Sequence, residues 1–202
     1  MDTPTPAQPL PLADPTAMGL IGLAVGCAAL LPIALGLTLT PEALKTAAVF
    51  CLLFGGGCQL FAGLGGFVNR NLFGATLFTA FAFNWGVNAW MLWSVAGGTL
   101  PDPTVLLAVD LCFLLIFLVM TWGFGYFSGL LFAFLADIDL MYVLKIIAGL
   151  TGTHALALPI AGCTLALALL ALWIAFALLI NPVVGRRVFP FPGPLFKAGP
   201  RS

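Results

Sequence analysis

Two asparagines lie one helical turn apart within an apolar segment of the chain. Asn84 and Asn88 share one face with Leu77 and Phe81, because an α-helix repeats every 3.6 residues. An amide inside a bilayer needs a hydrogen-bonding partner, so this face must contact another helix or water. Packing between helices and the lining of a pore are both open. In a pore, these amides and that of Gln59 could donate hydrogen bonds to a polar solute.

Three aspartates, Asp110, Asp137 and Asp139, also lie within apolar segments. A charge at that depth costs about 3 kcal/mol, so each needs a partner, water or a proton. Asp137 and Asp139 lie about 200° apart around a helix and cannot both face one pore. We expect one to face the pore or a neighbouring helix and the other to face a subunit interface. Structural pairing and proton coupling both stay open for these residues.

The composition predicts an integral membrane protein. The chain of 202 residues is 62% hydrophobic and only 7% charged. Several segments exceed the roughly 18 apolar residues of a membrane span, and they lack the alternating polarity of barrel strands. We therefore predict an all-α bundle of six transmembrane helices. The spans are 18–37, 43–66, 72–95, 104–123, 126–147 and 156–180.

The spans divide the chain into a disordered tail over 1–17, a transmembrane domain over 18–181 and a second tail over 182–202. Six spans put both termini on one side of the membrane. Most basic residues fall on that side, whereas Lys45 and Lys145 fall near the other, so the positive-inside rule predicts cytoplasmic termini. A multi-pass protein of the inner cell membrane is expected.

Small residues recur at four-residue spacing on the first two predicted helices. Gly22 and Gly26 lie on helix one, and Gly55, Gln59 and Gly63 follow each other on helix two. Such stripes are typical of transmembrane helices whose backbones approach closely.

Three patches of sequence carry a resemblance to a known family. DPTAMGL at 14–20 is similar to a motif of Asn-Pro, two small residues or Pro, an apolar residue and Gly-Leu. FGGGCQLFAG at 54–63 and NLFGAT at 71–76 resemble a run of aromatic-Gly-Gly, Gln, Ala-Gly and then Asn-Thr-Phe-Gly with a later Thr. The spacing of Asn181, Gly185, Arg186 and Pro190 matches the region after the last helix. Together they resemble the acetate uptake transporter family, small six-helix permeases or channels.

The resemblance implies one compact domain per subunit, each with its own pore, assembled as a hexamer. It implies that a motif at the cytoplasmic mouth consists of Asp14, Pro15, Gly19, Leu20, Asn71, Phe73, Gly74 and Thr76. It also implies that Phe81 lies at the narrowest point. Leu23 is then expected opposite Phe81, with a third member on helix five near Asp139 or Leu140.

The resemblance implies a channel or proton-linked transporter for acetate and related short-chain carboxylates, including succinate. We expect no enzymatic activity, no cofactor, no metal and no nucleic-acid partner; the partners are an acetate-like anion, the lipid bilayer and other copies of the chain. Two other interpretations stay open. One is a channel for urea, an amide or ammonium, which the asparagines and aspartates favour. The other is a scaffold without a pore, in which Gln59, Asn84 and Asn88 serve only helix packing.

Overall fold

The computed structural model describes residues 13–197, so most of the tail predicted over 1–17 lies outside the described residues. In the described part it contains six long helices and no strand, which confirms the predicted all-α bundle. The helices are α1 (Thr16–Ala34), α2 (Pro41–Val68), α3 (Leu72–Ala96), α4 (Pro103–Phe124), α5 (Gly129–Thr151) and α6 (Ala157–Val184).

Four of these helices, α1, α2, α4 and α6, are long and apolar enough to cross a membrane. The other two have comparable lengths but are more polar. Asn84 and Asn88 lie on α3, while α5 carries Asp137, Asp139 and Lys145. All six helices belong to one bundle, and the chain is a multi-pass membrane protein.

Short connections join the helices alternately at two ends of the bundle. The terminal end holds the starts of α1, α3 and α5 together with the end of α6. The distal end holds the connections 35–40, 97–102 and 152–156.

Side-chain caps fix where several helices begin. The Thr40 hydroxyl accepts a hydrogen bond from the Ala43 amide at 3.2 Å. The Asn71 side chain likewise accepts from the Gly74 amide at 3.0 Å. These bonds satisfy backbone donors that have no partner within the helix. Both caps occur where the sequence predicts the turns that precede α2 and α3.

The helices pack in an order that differs from their order in the chain. The helix α1 packs against α2 and α6, α2 against α3, and α5 against both α4 and α6. Aromatic side chains bring α4 onto α3: the Phe81 and Phe117 rings are stacked with their centroids 4.7 Å apart. Polar faces of α3 and α5 are thereby turned towards the inside of the bundle.

The helix α2 contains a π-helical segment, Cys51–Cys58. Glycines let α1 and α3 approach it closely. A Cβ added to Gly22 would overlap the Phe54 carbonyl oxygen, and one added to Gly55 would overlap the Trp85 indole. The glycine stripes on α1 and α2 therefore lie at helix contacts, as their spacing predicts.

The segment that follows α6 folds back over the terminal end. The Asn181 side chain accepts from the Val188 amide at 2.8 Å and donates to the Phe189 carbonyl at 2.7 Å. The Ser128 hydroxyl donates to the Pro192 carbonyl at 2.7 Å. The last helix runs four residues beyond its predicted end, since Pro182 lies within its final turn. Described residues of the second tail are thus tied to the bundle.

Candidate functional site

The bundle contains a cavity at its terminal end. This terminal cavity has a volume of about 320 Å³ and is lined by side chains from α1, α3, α4, α5 and α6. Its lining includes five residues expected at the pore mouth: Asp14, Leu20, Asn71, Phe73 and Gly74. Two patches that are about 50 residues apart in the sequence therefore meet at one mouth.

Two further members of the motif, Gly19 and Pro15, pack beside this mouth without lining the cavity. Gly19 lies against Ala62 and Phe78, where a Cβ would overlap both side chains. Pro15 packs against Gly65 of α2. The Asp14 carboxylate accepts from the Thr16 amide at 3.0 Å, which holds the start of α1.

A second cavity lies at the distal end. This distal cavity has a volume of about 220 Å³, and α1, α3, α5 and α6 supply its walls. Phe81, Asn84 and Asn88 line it from α3, while Tyr142 and Lys145 line it from α5. The predicted polar face of α3 therefore borders open space.

A thin apolar layer separates the two cavities. On α1, Leu20 lines the terminal cavity and Cys27 the distal cavity, and the helical period places Leu23 between them. The same reasoning gives Ile138 on α5 and Ala171 on α6. On α3, Phe81 is the first residue of the distal cavity after Leu77 and Phe78 of the terminal cavity, so it lies at the boundary between the two. The layer consists of Leu23, Phe81, Ile138 and Ala171, whose side chains are at most 4% exposed. Both cavities border α1, α3, α5 and α6, and the single apolar layer between them has the form of a closed pore.

Leu140 does not belong to this layer, although it was expected near the narrowest point. Its side chain is 51% exposed on the outside of the bundle. Residue 138 lies about 200° from residue 140 around an α-helix, which turns Ile138 inward. The structure therefore supplies Ile138 as the α5 member.

Two other expected site residues also lie away from the cavities. Gln59 is fully buried in α2 and lines neither cavity. Neither polar atom of its amide has a partner among residues 13–197. Thr76 lies on an outer groove that α3 forms with α4. Gln59 and Thr76 therefore line neither of the two cavities.

Polar groups of the distal cavity form a connected set. The Asn84 amide donates a hydrogen bond to the Tyr142 hydroxyl at 3.0 Å. Lys145 Nζ lies 4.8 Å from the centre of the Tyr142 ring and 3.0 Å from an Asp110 carboxylate oxygen. The expected partner of Asp110 is therefore Lys145, which lies 35 residues later in the chain.

Asp137 and Asp139 face different helices, as their spacing requires. The Thr121 hydroxyl of α4 donates to the Asp139 carboxylate at 2.6 Å, and Asp139 is 8% exposed. Asp137 lies beside the Cys163 thiol of α6. One of its carboxylate oxygens is buried without a partner among the described residues. Asp139 therefore faces a neighbouring helix, as expected for one of the two aspartates. The partly exposed Asp137 lies beside α6, and its expected position at a subunit interface stays a prediction.

The residues that sequence reasoning missed are Ile138, Tyr142 and Ala171. Residues 131, 134, 138, 141 and 145 on α5 all lie at helical spacing, and four of them line a cavity. That spacing gives no signal by itself, since nearly every position of α5 is apolar. Ala171 is small and common in transmembrane helices, so its type carries no signal either.

Comparison with known proteins identifies a structural relative. No family model matches the chain, and no curated relative does. A solved structure of the bacterial acetate channel SatP superimposes with a TM-score of 0.79 and 25% sequence identity, over 89% of this chain and 99% of that chain. This match supports the acetate uptake transporter family, as the three sequence patches indicate.

Proposed function

We propose that this chain, which shares the fold of a bacterial acetate channel, conducts acetate and related short-chain carboxylates across the membrane. The observation that carries the proposal is the pair of cavities on α1, α3, α5 and α6 with a single apolar layer between them. A solute that crosses this layer must be small and must lose most of its water.

Acetate suits both the apolar layer and the polar distal cavity. Its methyl group tolerates contact with the Phe81 ring and with Leu23, where water is excluded. Its carboxylate can accept hydrogen bonds from Asn84 and Asn88, whose amides line the distal cavity. Succinate would have to carry a second charge through the same layer, so we expect it to pass more slowly than acetate.

The membrane setting follows from the exposed surface and the basic residues. Large apolar side chains cover the outside of the bundle, where lipid or neighbouring subunits would contact them. We propose a hexamer in the inner membrane, as the family resemblance implies. Arg70, Arg186 and Arg187 lie at the terminal end, which favours a cytoplasmic position for that end.

Proton linkage is proposed through Asp137. This residue lies at the level of the apolar layer, one position before Ile138, with a buried oxygen that has no partner among the described residues. A charged carboxylate there would repel acetate, so passage would be favoured when Asp137 carries a proton. Asp139 is the comparison residue, because it faces α4, which does not line the distal cavity. Thr121 donates to one of its carboxylate oxygens, and the other is, as in Asp137, buried without a partner among the described residues.

Replacing Asp137 with asparagine is expected to remove most of the pH dependence of acetate flux, since the variant stays neutral at every pH. The Asp139→Asn variant should keep it, because an asparagine oxygen can still accept from Thr121. Labelled acetate uptake into liposomes, measured between about pH 4 and 8 and corrected with protein-free liposomes, checks this, because the range begins near the ordinary pKa of a free aspartate. Unchanged pH dependence in the Asp137 variant would exclude coupling through this residue.

A channel for urea or ammonium is the second candidate, favoured by the amides of Asn84 and Asn88. Liposomes that contain the purified protein separate the two functions when labelled acetate, urea and ammonium are compared at two pH values. We expect acetate uptake to exceed its protein-free rate severalfold, with urea and ammonium close to theirs. Rapid urea or ammonium uptake without acetate uptake would replace the proposal with the second candidate.

A further inference from the structure

A charged pair borders the distal cavity. Lys145 is the one charged residue among the described side chains that line it. Its Nζ lies 3.0 Å from Asp110, which belongs to α4 and does not line the cavity. A solute in the cavity therefore contacts the ammonium group of Lys145, while the Asp110 carboxylate lies further from the cavity.

Tyr142 adds a hydrogen-bond donor to the same wall. Its side chain is 1% exposed, and its hydroxyl oxygen accepts from the Asn84 amide at 3.0 Å. The hydroxyl proton has no acceptor among residues 13–197, and the side chain lines the cavity. A buried donor without an acceptor is costly unless something binds to it. Lys145 Nζ lies only 4.8 Å from the same ring, so two donors converge on one region.

We infer that Tyr142, Asn88 and Lys145 form a carboxylate-binding subsite in the distal cavity; this inference rests on the proposed function. An incoming carboxylate accepts from the Tyr142 hydroxyl and the Asn88 amide, and its charge is offset by the Lys145 ammonium. Asp110 competes with the solute for Lys145. This competition weakens binding enough for the solute to leave again, as conduction requires.

The alternative is that Lys145 and Asp110 only neutralise each other between α4 and α5. The two explanations differ in the effect of removing Asp110. A purely structural pair loses its function whichever member is removed, so both single variants would impair the protein in the same way. If Asp110 competes with the solute, removing Lys145 weakens acetate binding, whereas removing Asp110 strengthens it.

The test is the concentration dependence of labelled acetate uptake into liposomes. We expect Lys145→Met to raise the half-saturating acetate concentration roughly tenfold, the usual effect of losing a hydrogen bond to a charged group. Asp110→Asn should lower this concentration, because Lys145 is then free to bind the solute. A rise in both variants, or no change in either, would overturn the subsite.

Two further variants keep the test independent of folding. Asp110→Asn combined with Lys145→Met leaves no unpaired charge, and we expect it to behave as Lys145→Met does. The Lys45→Met variant removes a charge from the same end of the bundle. Lys45 is exposed beside Trp93 and lines no part of the distal cavity. Acetate uptake by this variant should therefore match that of the wild type. Wild-type uptake no faster than protein-free uptake would reject the proposed function, whereas wild-type kinetics in the double variant would reject only the subsite.

Discussion

Replacing Phe81 with alanine is expected to raise acetate flux roughly tenfold, which corresponds to lowering the barrier by about 1.4 kcal/mol. Phe81 is the only aromatic member of the layer between the two described cavities, and it is 4% exposed. Its removal leaves space between Leu23 and Ile138 and joins the cavities. We also expect a carboxylate larger than acetate, such as butyrate, to gain more than acetate does. Uptake of both labelled anions into liposomes measures this change.

The matched control is Phe83→Ala on the same helix. Phe83 is 66% exposed on the outside of the bundle, so its loss should leave flux unchanged. The Phe81 ring also stacks on Phe117, and loss of a buried Phe typically costs about 3–5 kcal/mol. The folded fraction after heating should therefore be measured for each variant. Indifference of flux to Phe81→Ala in folded protein would move the narrowest point elsewhere.

Replacing Gly22 with alanine is expected to destabilise the contact between α1 and α2. The added Cβ would overlap the Phe54 carbonyl oxygen and the Cys58 Cβ of the π-helical segment. A helix backbone cannot move aside as a side chain can, so α1 and α2 must separate. Overpacking of this kind costs about 1–3 kcal/mol and occasionally more. Size-exclusion chromatography after heating should show loss of monodisperse protein at a lower temperature.

Gly162→Ala is the control for this change. Gly162 lies in the second turn of α6, and nothing in the described structure lies within 4 Å of a Cβ added there. Alanine also favours a helix more than glycine does, so this variant should be as stable as the wild type or slightly more stable. Equal heat resistance in the two variants would contradict the close contact between α1 and α2.

Much of the fold could be predicted from the sequence because it depends on local signals. Long apolar segments define the six helices, and Thr40 and Asn71 cap the helices that follow them, as their positions suggest. The shared face of Leu77, Phe81, Asn84 and Asn88 also follows from the helical period. In the structure, Leu77 lines the terminal cavity and the other three line the distal cavity.

The site could be predicted only in part, for two physical reasons. The π-helical segment Cys51–Cys58 has more residues per turn than an α-helix, so a period of 3.6 misplaces the residues that follow it. Gln59 comes directly after that segment. On α5, apolar residues surround the whole helix, so no pattern distinguishes Ile138 from Leu140.

Contacts between residues far apart in the chain could not be predicted from the sequence either. The pairing of Asp110 with Lys145 and the bond from Asn84 to Tyr142 join positions 35 and 58 residues apart. The need for such partners follows from the cost of placing polar groups in lipid. Their identity depends on which helices are neighbours, and that is a property of the whole bundle.

The most direct test of the central claim is the initial rate of labelled acetate uptake near neutral pH. It compares liposomes that contain the purified wild-type protein with protein-free liposomes of the same lipid. A pore through the layer of Leu23, Phe81, Ile138 and Ala171 predicts uptake several times faster with the protein, and faster again with Phe81→Ala. Wild-type uptake equal to the protein-free rate would contradict the account.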